Sequence, residues 1–215
     1  MAEQRSKEWF EERLGKFTSS SIHKLMSIKG IGLTGESYCF ELAVDIVEGK
    51  DWNDDFVSYD MQRGIDLEPF AFELFKKKMS MDFINVSTTE FIRLNENEGS
   101  SPDGLVSSDG VLEIKCPQRE KFFKLVAFGK EAIDPAYLWQ MQHQMRVTDR
   151  EKAYFLNYYI HNGQELHHTI IVERDENMIS RMVDRIDLSI EVRDNFVQQI
   201  TNNIQYRQPG RLLPL

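Results

Sequence analysis

Apolar residues recur at helical spacing through the first third of the chain. Ser6 is placed to cap a helix carrying Trp9, Phe10, Arg13 and Leu14, Gly15 breaks that pattern, and the run Thr18-Ser19-Ser20-Ser21 is placed to cap a second helix. A third helix is predicted from Glu36 to Val47, ended by Gly49, with the acidic stretch Asp51 to Asp55 as a loop. Leu67, Ala71, Leu74 and Phe75 repeat at helical spacing behind Leu67-Glu68-Pro69, where proline suits a first turn.

The middle of the chain changes period. Phe83 to Val86 and Glu90 to Leu94 read as strands, and Asp109-Gly110 suits the turn of a hairpin whose second strand is Leu112 to Cys116, closed by Pro117. Helical patterns return at Phe122 to Phe128 and Tyr137 to Val147. Strands are predicted again at Lys152 to Tyr159 and Leu166 to Val172, joined through His161-Asn162-Gly163. Asp175 caps a final helix whose stripe Ile179, Val183, Ile186, Ile190, Val197, Ile200 and Ile204 is interrupted only by Arg193. That stripe is expected to pack on the domain's own sheet, with a contact between subunits as the alternative. A loose tail is expected from Gln208 onward. The fold class implied is α/β: a single domain with a central mixed sheet flanked by helices.

Composition narrows the class. At 215 residues, 41% hydrophobic and 28% charged, the chain can bury a core as one domain. It has no run of eighteen apolar residues, and Met1-Ala2-Glu3-Gln4-Arg5 leads into a charged stretch rather than a signal core, so a soluble intracellular protein with no membrane partner is expected. Cys39 and Cys116, the only 2 cysteines, are too few for a disulfide framework or a four-thiolate cluster and are expected to be buried thiols. The histidines, His167-His168 included, lack zinc spacing and suit a strand surface. A net charge of −9 argues against a protein that coats nucleic acid non-specifically.

The candidate chemistry lies in Ser101-Pro102-Asp103-Gly104-Leu105 and Leu112-Glu113-Ile114-Lys115-Cys116-Pro117. Residues i and i+2 of a strand share a face, so Glu113 and Lys115 project together, and a hairpin bent near Asp109 returns Asp103 beside them. Ile114 points into the core while its carbonyl stays near the carboxylates. Two carboxylates and a carbonyl oxygen are hard ligands of the kind Mg²⁺ takes. A lysine flanked by carboxylates stays protonated, which favours an electrostatic role for Lys115.

The arrangement resembles the PD-(D/E)XK nuclease superfamily, and more closely the phage lambda-type exonucleases of the YqaJ-like viral recombinase family. The resemblance runs over roughly residues 5 to 175. It includes Trp9 with Arg13-Leu14-Gly15, Thr18-Ser19-Ser20, Arg63-Gly64 with Leu67-Glu68-Pro69, Gln140-Met141-Gln142 with Met145, Val147-Thr148, and Ile171-Val172-Glu173-Arg174-Asp175-Glu176. It implies a restriction-endonuclease-like core in one nuclease domain spanning residues 1–215, with its catalytic core at about 60–175 and a C-terminal helix at about 175–205.

The activity implied is a Mg²⁺-dependent exonuclease that degrades one strand of linear duplex DNA from its 5′ end, releases mononucleotides and leaves a 3′ overhang for recombination. Two Mg²⁺ ions are implied, with Mn²⁺ as a substitute. By the same resemblance Asp103, Glu113 and the Ile114 carbonyl are metal ligands, Lys115 is the catalytic lysine, Glu68 is a further acid and Gln140 lines the pocket. Arg13, Ser20 and Ser101 match the positions that hold the 5′ phosphate, joined by either Arg119 or Lys121. The resemblance further implies a homotrimeric ring around DNA, whose inner wall alone needs to be basic, a single-strand annealing protein as partner, and a phage- or prophage-encoded protein in the bacterial cytoplasm. Rival readings are an endonuclease or a RecB-like nuclease built on the same triplet, and a non-catalytic DNA-binding module. Against the RecB-like branch, Gln140 is followed four residues on by Gln144 rather than tyrosine, and four cysteines are lacking.

Overall fold

The computed structural model describes residues 7–49 and 58–205. The cap at Ser6, the loop Asp51 to Asp55 and the tail from Gln208 lie outside these residues.

Helix α1 (Lys7–Arg13) leads to Gly15, whose φ of +68° suits a residue without a Cβ, and then to β1 (Phe17–Thr18). The serine run does not cap a second helix as expected. A single 3-10 turn, Ile22–Leu25, comes after it, and Ser21 makes no side-chain capping bond. The hydroxyls bond elsewhere: Ser19 Oγ lies 2.7 Å from both Ser100 Oγ and His143 Nδ1. Helix α2 (Gly32–Glu48) starts earlier than predicted and ends as predicted at Gly49, in the left-handed conformation.

Helix α3 (Tyr59–Met81) corrects the reading of Pro69. The true cap is Ser58, whose hydroxyl accepts from the Met61 N–H at 3.2 Å, so Pro69 stands in the helix interior. There it removes one backbone donor. Ala71, Phe72 and Phe75 pack the same helix onto the sheet, and that burial outweighs the local loss.

The main sheet has the order β2 (Val86–Ser87), β5 (Gly104–Val106), β6 (Gly110–Lys115), β7 (Lys152–His161), β8 (Gln164–Glu173). Every pairing is antiparallel except β6 with β7. A second sheet, β1, β4 (Glu98–Ser100) and β3 (Ile92–Arg93), has strands too short to show a period in sequence. The strand expected from Phe83 shifts to Val86, because Phe83 itself takes φ +60° and is exposed.

Asn162-Gly163 forms the expected two-residue turn, with φ of +50° and +76°. Asp109-Gly110 does not. Gly110 already pairs with Val106, the loop is Ser107-Ser108-Asp109, and a Cβ on Gly110 would lie 2.7 Å from the Tyr154 ring.

Strand alternation divides the core between two faces. Leu112, Ile114, Tyr154, Leu156 and Tyr158 meet α3, whereas Val111, Ala153 and Phe155 meet Met141 and Met145 of α5 (Pro135–Thr148) and Leu125 of α4 (Arg119–Phe128). The last helix, α6 (Glu176–Asn203), is capped by Asp175 as predicted. It does not pack on the sheet. Both faces are already covered, so Met182 and Ile186 join Tyr38, Cys39 and Leu42 of α2 in a separate layer. Arg193, the apparent break in the stripe, is a buried clamp that donates to the Gly15 carbonyl at 2.7 Å and to Asn97 Oδ1 at 2.8 Å.

Gly99 sets the spacing of the small sheet, because a Cβ there would lie 2.1 Å from Phe91 Cζ and 2.9 Å from the Ile92 carbonyl oxygen. Gly99→Ala is therefore expected to lower stability by about 1–3 kcal/mol, read from the midpoint of urea unfolding.

Candidate active site

The hairpin brings the predicted triplet together. Asp103 extends the β5–β6 ladder: its N–H donates to the Leu112 carbonyl at 3.0 Å, and its Oδ2 accepts from the Ile114 N–H at 2.5 Å. Glu113 and Lys115 share the α5 face of β6, and the ammonium pairs with Glu113 Oε1. Ile114 turns its side chain into the core on the α3 side, as expected.

Glu113 is 1% exposed, and burying a carboxylate is tolerable only when its lone pairs are met. Helix α5 meets them. Gln140 Nε2 donates to Oε1 at 2.7 Å and Gln144 Nε2 to Oε2 at 2.5 Å, the two amides lying one helical turn apart on one face. Gln140 thus contacts Glu113 directly, but it does not belong to the lining of the adjoining groove. The role of Gln144 is not among the sequence expectations, although its i, i+4 spacing from Gln140 is a signal for it.

The electrostatics follow from crowding. Burial, then the charges of Glu113 and Glu68, push the Asp103 carboxyl well above the usual carboxylate range. Burial alone would depress Lys115, but the charges of Glu113 and Asp103 outweigh it and hold the ammonium above the ordinary lysine value. The Lys115 ammonium also lies 4.9 Å from the Tyr137 ring centroid. Glu68, placed mid-helix on α3, thus reaches the site through its charge. Arg63 on the same helix fastens α3 to the end of β6 by donating to the Cys116 carbonyl at 2.7 Å. Cys39 is buried as expected, but Cys116 is only half-buried, and burial with nearby carboxylates raises its thiol to about 11.

A groove of about 1680 Å³ opens beside this site, lined by Glu68, Ile114 and Lys115 but not by Asp103 or Glu113. Arg63, Lys115, Arg119, Lys121 and Lys124 supply positive charge along it against the acids Asp60, Glu68, Glu120 and Asp134, interleaved with Phe123, Phe128 and Tyr137. Arg119 and Lys121 both line it, so both candidates for the second basic residue stay in place. Arg13, Ser20 and Ser101 do not belong to its lining. Arg13 stacks 4.0 Å from the Trp9 ring centroid and donates to Thr18 Oγ1 at 3.3 Å, and Trp9 donates to Ser101 Oγ at 3.0 Å. Arg13 and Ser101 therefore belong to one cluster beside the Asp103 turn. Ser20 is exposed, and the hydroxyl on Arg13 is that of Thr18.

The other face of α5 holds a network that sequence reading missed. His143 is fully buried, between Ser19 at 2.7 Å and Glu98 Oε2 at 3.3 Å, and Arg146 pairs with the same Glu98 oxygen. Burial pushes the His143 pKa below the ordinary value. Burial would raise Glu98, but the hydrogen bond and charge of His143, a hydrogen bond from Asn95 and the Arg146 charge outweigh it and hold the carboxyl below its usual range. Arg146 balances the Glu98 charge in place. A serine, histidine and glutamate in line suggest a hydrolytic triad, but all three are buried from substrate. The group ties β1, β4 and α5 together.

The fold and this hairpin site define a PD-(D/E)XK-type α/β protein. A family model of the YqaJ-like viral recombinase domain matches residues 8–151, and the chain belongs to that family. An alkaline exonuclease (LHK-Exo) from Laribacter hongkongensis superposes with a TM-score of 0.76 at 28% identity, over 92% of this chain and 97% of that one, and the same match holds for its complex with dAMP. A phage-related exonuclease from Haemophilus somnus 129PT shares the fold, with a TM-score of 0.67 at 20% identity over 86% and 96% of the two chains. An uncharacterized Escherichia coli (strain K12) protein named ExoD is 33% identical over 72 residues, which is 34% of this chain and 83% of that protein.

Among the described residues no three His, Cys, Asp or Glu side chains form a ready metal cluster. The donor chemistry nevertheless fits a hard divalent cation: Asp103 and Glu113 are crowded carboxylates, and their repulsion helps to raise Asp103. That crowding predicts a pH dependence. A carboxyl raised in the fold above its unfolded value destabilises progressively as pH climbs from the unfolded pKa to the folded one. Asp103→Asn should therefore stabilise the protein in chelator at neutral pH by on the order of 1 kcal/mol, with the gain vanishing below about pH 4. Melting curves across pH check this.

Proposed function

We propose that the chain is a Mg²⁺-dependent 5′-to-3′ exonuclease acting on linear double-stranded DNA, releasing mononucleotides and leaving a 3′ overhang for strand-annealing recombination. The observation that carries this reading is the convergence of Asp103, Glu113 and Lys115 at one hairpin, beside a groove that Lys115 lines and whose cations and aromatic rings suit a polyanion with stackable bases. The family supports it, as does the alkaline exonuclease similar to this chain, which binds dAMP, the type of product the reading requires.

In this reading Asp103, Glu113 and the Ile114 carbonyl hold the metal, as two ions, with Mn²⁺ able to replace Mg²⁺. The metal supplies Lewis acidity toward the phosphodiester and acidifies water. Gln140 orients the Glu113 carboxylate, and Glu68 adds negative charge that favours cation capture. Lys115, protonated throughout, stabilises charge on the phosphoryl oxygens as the bond breaks. Arg13 with Ser101, and Ser20 nearby, recognise the terminal 5′ phosphate, with Arg119 or Lys121 reaching it from the groove.

A net charge of −9 accords with a homotrimeric ring that is basic only on its inner wall. No helix among the described residues is long and apolar enough to cross a membrane. The setting proposed is the cytoplasm of a bacterial host, with a phage or prophage origin and a single-strand annealing protein as partner.

The deciding experiment compares three substrates with Mg²⁺ present: linear duplexes with 5′-phosphate ends, linear duplexes with 5′-hydroxyl ends, and covalently closed circles. Phosphate-ended DNA should disappear fastest and circles should survive; equal cutting of circles would convert the reading to an endonuclease. Lys115→Ala should abolish turnover by gel assay while DNA binding persists. Arg13→Ala should narrow the preference for phosphorylated ends, and an unchanged preference would remove Arg13 from the phosphate site.

A further inference from the structure

Among the buried side-chain oxygens of the described residues, Gln144 Oε1, Asn157 Oδ1 and Thr169 Oγ1 have no hydrogen-bond partner. Two of these three belong to the surroundings of Glu113 and Lys115. An unmet buried acceptor costs about 1–3 kcal/mol, so a fold that keeps one beside its candidate site calls for an explanation.

Asn157 offers one. It lies on β7 and is fully buried as a residue, yet it lines the groove. The parallel register sets it directly against Lys115, just as Phe155 is set against Glu113. Residues in register on neighbouring strands project from the same face, so the Asn157 amide and the Lys115 stem are neighbours on the α5 side of the sheet. The amide orientation is fixed by its other contact: Nδ2 donates to the Phe155 carbonyl at 3.3 Å. Turning the amide over would set oxygen against oxygen, so Oδ1 is the atom left without a donor.

Lys115 has three N–H donors, and Glu113 Oε1 takes one of them. If Glu113 ligates a cation, that oxygen turns to the metal and the ammonium loses its acceptor. We propose that Asn157 is the positioning residue for Lys115: its Oδ1 receives the ammonium when Glu113 engages the metal, and it holds the lysine toward the scissile phosphate. The inference rests on the metal-dependent nuclease reading. It explains why an acceptor stands unmet when Lys115 is paired with Glu113.

The test uses full-length protein. Asn157→Leu removes the acceptor at similar volume. Under single-turnover conditions Asn157→Leu should slow cleavage about tenfold or more, the scale of one hydrogen bond to a charged group. Its KM for linear DNA ends, its Mn²⁺ affinity by calorimetry and its melting temperature should stay near wild type. A purely structural Asn157 would instead lower the melting temperature and metal affinity together, and that outcome overturns the proposal, as does a Leu variant of full rate. A second measurement needs no variant of Asn157. Its side-chain amide resonances in ¹⁵N-labelled protein should shift on Mg²⁺ addition, and the shift should be lost in Lys115→Met; a shift that survives in Lys115→Met refutes the coupling. If wild-type protein digests no DNA with Mg²⁺ or Mn²⁺, the nuclease reading itself fails. Digestion with an indifferent Asn157→Leu removes only this inference.

Discussion

The structure depends on keeping a glutamate, Glu113, inside the protein. Withdrawing a carboxylate from water costs several kcal/mol even after relaxation, and the surroundings must return it as hydrogen bonds and charge. Three donors do so: the Lys115 ammonium two residues along the strand and the amides of Gln140 and Gln144 from α5. Each bond to a charged acceptor contributes roughly 1.5–3 kcal/mol. Strand β6 therefore has to run beneath α5 at one register, and the parallel pairing with β7 holds it there.

Helix α5 serves two sheets at once. Its Gln140 and Gln144 face Glu113 on the main sheet, while His143 and Arg146 face Glu98 on the small one. Ser19 and Ser100 extend the second contact to β1 and β4. The helix that orients the candidate metal ligand is thus itself oriented by the small sheet. The cluster of Trp9, Arg13, Thr18 and Ser101 sits on the same sheet's margin, so end recognition and chemistry would share one rigid frame.

What could be read from the sequence tracks the range of the interactions. Asp103, Glu113 and Lys115 were legible because a strand's two-residue period and one hairpin place them, both local rules. The long elements after residue 119 were legible for the same reason. The small sheet was not, because strands of two or three residues carry no period and exist only through partners distant in sequence. Pro69 was misplaced because its local preference for a first turn yielded to the burial of Ala71, Phe72 and Phe75. Helix α6 was assigned to the sheet because a stripe shows that a face is buried but not what buries it. Asn157 carries no signal of its own, since its meaning comes wholly from its register with Lys115.

The two carboxylates beneath α5 make an instructive contrast. Glu98 is closed off: it has an arginine, a histidine and an asparagine around it, and it stays below its usual range. Its charge is balanced in place by Arg146, as suits a structural tie. Glu113 has a lysine on a flexible stem, two neutral amides and a second carboxylate close enough that their repulsion raises Asp103. Counted as formal charges, one ammonium stands against Glu113 and Asp103, with Glu68 also acting on the site, so the local balance is negative wherever these acids are ionised. A fold that needed only stability would be better served by the first arrangement in both places. The second is less stable on its own and adjoins a groove that Lys115 lines, and a divalent ion would correct its imbalance while freeing Lys115 to face a phosphate.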